Sequence, residues 1–134
     1  MREIKFRAWK KSANRMLDWA ELCAMPRLCN VLNGEYLEAV MQYTSLHDKN
    51  GKEIWAGDIL VFRNNKSIYR KGEYDSFSQV CFGDYAYGEY EQAESGYGWF
   101  LKGITDEDGS GLNQHFADYH EVIGNIYENP ELLK

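Results

Sequence analysis

Glycine turns divide this sequence into short apolar runs. Asn50-Gly51 stands before Ile54-Trp55, and Gly57-Asp58 stands before the run Ile59–Phe62. Asn-Gly favours a positive φ and is a typical turn of a β-hairpin. Apolar runs this short, bounded by such turns, indicate buried strands. The pattern therefore predicts a mainly β chain that forms a small, closed or nearly closed barrel with little helix.

Other segments fit the same β pattern. Near the N-terminus Ile4, Phe6 and Ala8 alternate with charged residues, which predicts a strand that returns as a hairpin through a turn at 11–14. The segment 19–22 is compatible with either helix or strand. Further strands are predicted at four places: Val40–Thr44, Gln79–Phe82, Gly98–Ile104 and Glu121–Tyr127.

The second half of the chain contains three further predicted features. In the last strand Val122, Ile123 and Ile126 are core candidates, and Gly124 suits a β-bulge. The segment 83–98 is predicted to be a long exposed loop or an extended hairpin. The C-terminus is predicted to turn at 129–133 and to tuck Leu132 and Leu133 onto the body.

Charge is distributed unevenly along the chain. Residues 1–72 carry 13 lysines and arginines against 8 acidic residues, whereas residues 73–134 carry 2 against 13. A basic first half favours local nucleic-acid contacts, an acidic second half opposes them, and head-to-tail self-association is another outcome of such a distribution. The N-terminus is charged throughout, and apolar runs are far shorter than the ~20 residues of a membrane span. We therefore expect a cytoplasmic protein with no membrane contact and three reduced cysteines.

Three blocks of the sequence resemble the YopX family of phage and prophage proteins. They are Met1–Trp9, Met41–Leu60 and Glu121–Leu133, in the family's order. Ser45 and His47 depart from the glycine and lysine-type residues expected there, and Trp55 replaces a more usual tyrosine. The resemblance implies a small SH3-like barrel, here 46–134, after an N-terminal β-rich extension, 1–45, that contains a hairpin. It implies a bacterial host and carries over no activity, cofactor or catalytic residue.

Three patterns in the sequence are candidate reactive sites. Asp106–Gly111 begins like a calcium loop, but Ala117 stands where a bidentate glutamate should close it. His115 and His120 flank Asp118, yet on a strand the two histidines face opposite sides, and surface histidines in a loop are the simpler interpretation. Cys81 lies in an apolar run, which raises the pKa of a thiol and makes it inert. These patterns predict no catalytic residue, metal or cofactor, and a metal-assisted hydrolase at 106–120 is the least favoured hypothesis.

Two surface segments are candidate binding sites. A tyrosine-rich acidic stretch offers contact area of the kind found at protein interfaces. Its proposed binding residues are Tyr85, Tyr87, Tyr90 and Tyr97, with Tyr74 nearby in sequence. A basic stretch with one aromatic residue is the alternative, because small barrels bind single strands through such residues. Its residues are Arg63, Lys66, Tyr69, Arg70 and Lys71.

The first segment leads to the favoured hypothesis. We expect a non-enzymatic accessory protein that binds a host or phage protein, with a homo-oligomer as a further possibility. The alternative is a nucleic-acid-binding small barrel that uses residues 63–71.

Overall fold

The computed structural model describes residues 3–25, 39–66, 73–87, 94–104 and 110–133. At 64–66, 73, 74, 84–87, 94, 95 and 110 the description is of the backbone alone. The protein is mainly β, as predicted, with two antiparallel sheets. The chain divides into two compact units, Met1–Ser45 and Leu46–Lys134.

The first unit is built around a hairpin. β1 (Phe6–Lys10) and β2 (Arg15–Leu17) are joined by a 3-10 turn, Lys11–Ala13, and Asn14 adopts the left-handed conformation that closes it. β1 also pairs with β3 (Ala39–His47), so it lies between the two other strands. The predicted N-terminal hairpin is confirmed. Its core contains Ala8, Leu17 and Leu22, which are fully or almost fully buried.

The ambiguous segment after the hairpin is helical. α1 (Trp19–Cys23) begins at Asp18, whose carboxylate accepts a hydrogen bond from the Glu21 amide at 2.8 Å. The Glu21 carboxylate reaches back to the Asp18 amide at 3.4 Å, which completes a capping box. This reciprocal capping satisfies two backbone donors and selects the helix. The helix buries Leu22 against the hairpin of the same unit.

The second unit is a meander of antiparallel strands. In chain order it contains β4 (Glu53–Trp55), β5 (Asp58–Lys66), β6 (Glu73–Tyr87), β7 (Glu94–Gly103), β8 (Ser110–Gly111), α2 (Gln114–Ala117) and β9 (Glu121–Asn125). Its five-stranded sheet has the order β8-β7-β6-β5-β9, and β4 is hydrogen-bonded to β3, whose last two residues belong to this unit. The core is apolar and comprises Ile54, Leu60, Val80, Leu101, Leu112, Ala117 and Val122.

The predicted strands of this unit are confirmed, with different ends. β5, β6 and β7 each begin before the predicted residue, whereas β9 ends at Asn125, two residues before the predicted end. β6 and β7 pair from Ser78–Gly103 out to Tyr87–Glu94, so the described part of 83–98 is the extended hairpin and not a loop. The bulge predicted at Gly124 is also present. β5 pairs Ile59 with Gly124 and Leu60 with Val122, which leaves Ile123 as the extra residue.

Two predicted core positions are wrong, and one leucine predicted to tuck onto the body is exposed. Ile123 and Ile126 are only half-buried, because the bulge takes Ile123 out of register and the strand ends at Asn125. The C-terminus does form a turn, a 3-10 helix at Pro130–Leu133. Leu132 is partly buried there, but Leu133 remains 42% exposed.

Candidate functional site

An exposed group of three aromatic residues lies on the β6–β7 hairpin. We call Phe82, Tyr97 and Trp99 the aromatic triad. Phe82 is the cross-strand partner of Trp99, and their rings meet at 67° with centroids 4.8 Å apart. Tyr97 packs edge-on against Phe82, with ring centroids 5.3 Å apart and an interplanar angle of 77°. Each pair has the tilted geometry that aromatic quadrupoles favour, so the three rings support one another.

The triad is exposed because the hairpin extends beyond its core. Val80 and Leu101 form a buried cross-strand pair, and the next pair on that face is Phe82 and Trp99. Trp99 still packs on the core, whereas Phe82 is 50% and Tyr97 72% exposed. Adjacent exposed aromatic side chains of this kind form an apolar patch, which is a candidate interaction surface.

This surface has two further features, a pair of opposed glycines and the buried N–H of an indole ring. Gly83 and Gly98 face each other in the ladder with φ of +144° and +149°, and space for a Cβ is open at both. The buried Trp99 indole N–H has no hydrogen-bond partner within the described residues. An unsatisfied buried donor of this kind is destabilising by about 1–3 kcal/mol.

The sequence around the triad is acidic. Residues 73–101 contain six acidic residues and no lysine or arginine. Beyond that stretch stands Lys102, which lowers the pKa of the Cys81 thiol less than burial raises it. The net result is a raised pKa, as the apolar surroundings of Cys81 predict, so this cysteine carries no activated thiolate.

The predicted tyrosines fall into three groups. Tyr97 is a member of the triad. Tyr85 and Tyr87 lie in β6, where they pair with Gly96 and Glu94, and only their backbone is described, as at Tyr74. Tyr90 lies outside the described residues.

Sequence reasoning missed Phe82 and Trp99. The sequence predicts only that both residues lie in strands, because a run of apolar residues does not indicate how far a hairpin extends past its core. The signal that identifies them is the hairpin register, in which Phe82 opposes Trp99 and Gly83 opposes Gly98.

The predicted basic segment offers little free positive charge where it is described. The Arg63 guanidinium pairs with the carboxylates of Asp75 and Glu121, each at 3.3 Å. Lys66 is described in its backbone alone. Tyr69, Arg70 and Lys71 lie outside the described residues. A guanidinium held between two carboxylates is electrostatically compensated and attracts phosphate weakly.

The loop interpretation of the histidine pair is correct for His120, which lies in the connection between α2 and β9, and wrong for His115. His115 lies on the short helix α2 and contacts Tyr119. The His120 ring stacks on Phe62 with centroids 5.4 Å apart, and its Nδ1 lies 2.7 Å from the Phe116 carbonyl oxygen. Burial lowers the pKa of His120 more than the Phe116 carbonyl raises it, so the ring is neutral at pH 7.

The described residues hold no group of three or more side chains arranged to bind a metal ion. Asp118, which stands between the two histidines in sequence, accepts a hydrogen bond from the Gln114 side chain at 2.7 Å. The acidic stretch at 105–109 lies outside the described residues, and with it most of the candidate calcium loop.

The fold and this surface define a mainly β protein with an exposed aromatic hairpin. The sequence model of the family described as YopX protein matches residues 5–134. The chain therefore belongs to the YopX family, as its three sequence blocks predicted.

The comparison with solved structures includes a match along the whole chain. The crystal structure of protein EF1440 from Enterococcus faecalis is similar over 100% of both chains, with a TM-score of 0.60 and 26% sequence identity. No curated protein matches the chain. Among the residues that the structure describes, none of the helices has the length and apolar character needed to cross a membrane.

Proposed function

We propose that this protein is a non-enzymatic protein-binding module and that the aromatic triad is the centre of its binding surface. The observation that carries the proposal is the exposure of Phe82 and Tyr97 on a hairpin that extends past its own core. The tyrosine-rich acidic sequence of the hairpin, with Tyr85, Tyr87 and Tyr90, supports the same role. We expect the partner to be a host or phage protein in the bacterial cytoplasm, which is the setting that the resemblance to phage and prophage proteins implies.

The triad suits protein binding because its rings hold one another in place and present apolar area. Burial of one aromatic side chain removes about 150–250 Å² from water, so the triad offers a large apolar contact. Edge-to-face packing fixes Phe82 between Tyr97 and Trp99, which reduces the side-chain entropy lost on binding. Pre-ordered aromatic anchors of this kind carry much of the binding free energy at protein interfaces.

The sheet order supports the SH3-like interpretation of the second unit. β5, β6, β7 and β8 form a four-stranded meander, and β9 returns beside β5 after the short helix α2. A meander followed by a last strand that returns beside the first is also the strand order of an SH3-like small barrel. Barrels of this kind host many functions, so the site and not the fold carries the proposal.

Nucleic-acid binding through residues 63–71 is the alternative function. The carboxylate pairs of Arg63 argue against it, because a phosphate would have to displace Asp75 and Glu121. A homo-oligomer is compatible with either function.

A nuclease-controlled pull-down tests the proposal. The tagged protein is captured from a bacterial host with and without nuclease, and retained proteins are identified by mass spectrometry. We expect one protein to survive nuclease treatment with wild-type bait and to be lost with Tyr97→Ser. Tyr85→Ser, Tyr87→Ser and Tyr90→Ser then measure how far the surface extends along the hairpin. Recovery of nucleic acid, with every protein lost on nuclease treatment, would overturn the proposal in favour of the alternative.

A further inference from the structure

The outer edge of β7 is covered by its neighbour over only a short length. β7 runs for ten residues from Glu94 to Gly103, whereas β8 is a two-residue strand that pairs with Phe100 and Leu101. The Leu112 amide extends this contact by one position, since it donates to the Trp99 carbonyl at 2.9 Å. Within the described part of the chain, the stretch Glu94–Gly98 has a strand partner on its β6 side alone.

The hydrogen-bond pattern identifies the backbone groups on that edge. In an antiparallel strand the amide and carbonyl of one residue point to the same side, and successive residues alternate. The Trp99 carbonyl points to the β8 side, and the Ile104 amide bonds to β6 at Phe77. Even-numbered residues of β7 therefore pair with β6. It follows that the peptide groups of Ser95 and Tyr97 point outward.

We infer that an extended, basic segment of the partner protein binds as an added strand along residues 94–98 of β7. The inference rests on the proposed protein-binding function and specifies its mode. An exposed strand edge supplies main-chain hydrogen bonds for affinity, and neighbouring side chains supply specificity. Here the triad residues Tyr97 and Trp99 stand on the same strand as the open edge, so alternate side chains of the added strand reach the triad.

The charge of the hairpin determines which occupant is favoured. Residues 82–98 contain four acidic residues and no lysine or arginine, which favours a segment rich in lysine or arginine. A second copy of this chain is the other natural occupant of an open edge. Edge-to-edge pairing would place two such acidic hairpins side by side, and like charges across a ladder are destabilising. The observations therefore favour a basic partner over self-association.

The test uses a defined probe, a fluorescein-labelled peptide of alternating lysine and valine, measured by fluorescence anisotropy at about 0.15 M salt, where long-range attraction is screened. Its matched control is the same peptide with alternate backbone nitrogens methylated, which keeps the charge and side chains but removes the donors of one edge. Ser95→Pro removes one outward donor from the protein, at a position where an edge strand tolerates proline. Ser95→Ala is its control, and thermal unfolding verifies that each variant is folded.

We expect the methylated peptide and Ser95→Pro each to weaken binding on the order of tenfold, since about 1.4 kcal/mol corresponds to that factor. Ser95→Ala should bind as the wild type does. Equal binding of the two peptides to the wild-type protein would overturn strand addition, and this readout stands even if Ser95→Pro fails to fold. A concentration-dependent dimer in ultracentrifugation that Ser95→Pro abolishes would also overturn it, with a second copy as the occupant.

The outcomes separate the mode from the function. If Tyr97→Ser removes capture in the pull-down while both peptides bind alike, the protein-binding surface stands and the added strand is wrong. If Tyr97→Ser leaves capture intact, the proposed function is wrong at this surface, whatever the peptides do.

Discussion

A buried carboxylate holds the central turn of the second unit and provides a quantitative test of the fold. Asp48 is 4% exposed, and its Oδ1 accepts hydrogen bonds from the amides of Asn50 at 2.9 Å and Lys52 at 2.8 Å. Its Oδ2 accepts a third hydrogen bond from the Val122 amide at 2.9 Å. The side chain therefore joins the turn before β4 to strand β9, although the two are distant in sequence.

The loss expected for Asp48→Ala follows from the position of each donor. The Asn50 and Lys52 amides lie in an exposed turn and gain water in the variant, so each contributes about 0.5–1.5 kcal/mol. The Val122 amide is buried and remains unsatisfied, at a cost of about 1–3 kcal/mol. The sum is about 2–6 kcal/mol, and Asp48→Asn, which keeps one acceptor oxygen, should lose roughly half of it.

Urea unfolding followed by circular dichroism measures this loss as a change in midpoint at constant slope. Asp118→Asn is the matched control. Its carboxylate accepts one hydrogen bond from Gln114 at an exposed position, and its effect should stay within about 0.5 kcal/mol. A loss below about 1 kcal/mol for Asp48→Ala would refute the assignment of Asp48 as the residue that holds this turn.

Three further predictions follow from single residues. Gly124→Ala places a Cβ against the Asn129 side chain and should destabilise the protein by about 1–3 kcal/mol in urea; an unchanged midpoint would contradict the close packing there. Because burial lowers the pKa of His120, the unfolded state binds more protons below about pH 6.5. Stability is therefore complete above that pH and falls on acidification, and His120→Phe should lose less stability between about pH 7.5 and 5.5 than the wild type; an equal loss would contradict this. Cys23 is exposed whereas burial raises the pKa of Cys81, so maleimide labelling followed by peptide mapping should modify Cys23 before Cys81, and faster labelling of Cys81 would contradict its burial.

Features that depend on residues close together in the sequence were predictable. The turn at Gly51 has the expected positive φ of +81°, and the bulge at Gly124 lies where the glycine interrupts an apolar strand. The resemblance also identified Ser45 as a departure from glycine, and the backbone shows why glycine is expected at this position. Ser45 has a φ of +70°, a conformation that favours glycine, and its hydroxyl donates to the Glu3 carbonyl at 3.1 Å.

Features that depend on pairing between distant residues were not predictable. Phe82 and Trp99 meet only through the hairpin register, and nothing in either local run fixes how far that register extends beyond the core. The same holds for Arg63, which was predicted to face a ligand. Its carboxylate partner Glu121 is 58 residues away in the chain and is brought near by the pairing of β5 with β9.

The measurement that tests the central claim most directly compares two exposed aromatic residues of the second unit. Phe82→Ser removes the middle ring of the triad, and Tyr119→Ser removes a ring that is 56% exposed near α2. Capture of the nuclease-resistant partner is quantified by isotope-labelled mass spectrometry for both variants and the wild type. The account predicts that capture falls at least about tenfold with Phe82→Ser and stays at the wild-type level with Tyr119→Ser. Equal capture by all three proteins would contradict the assignment of the triad as the binding surface.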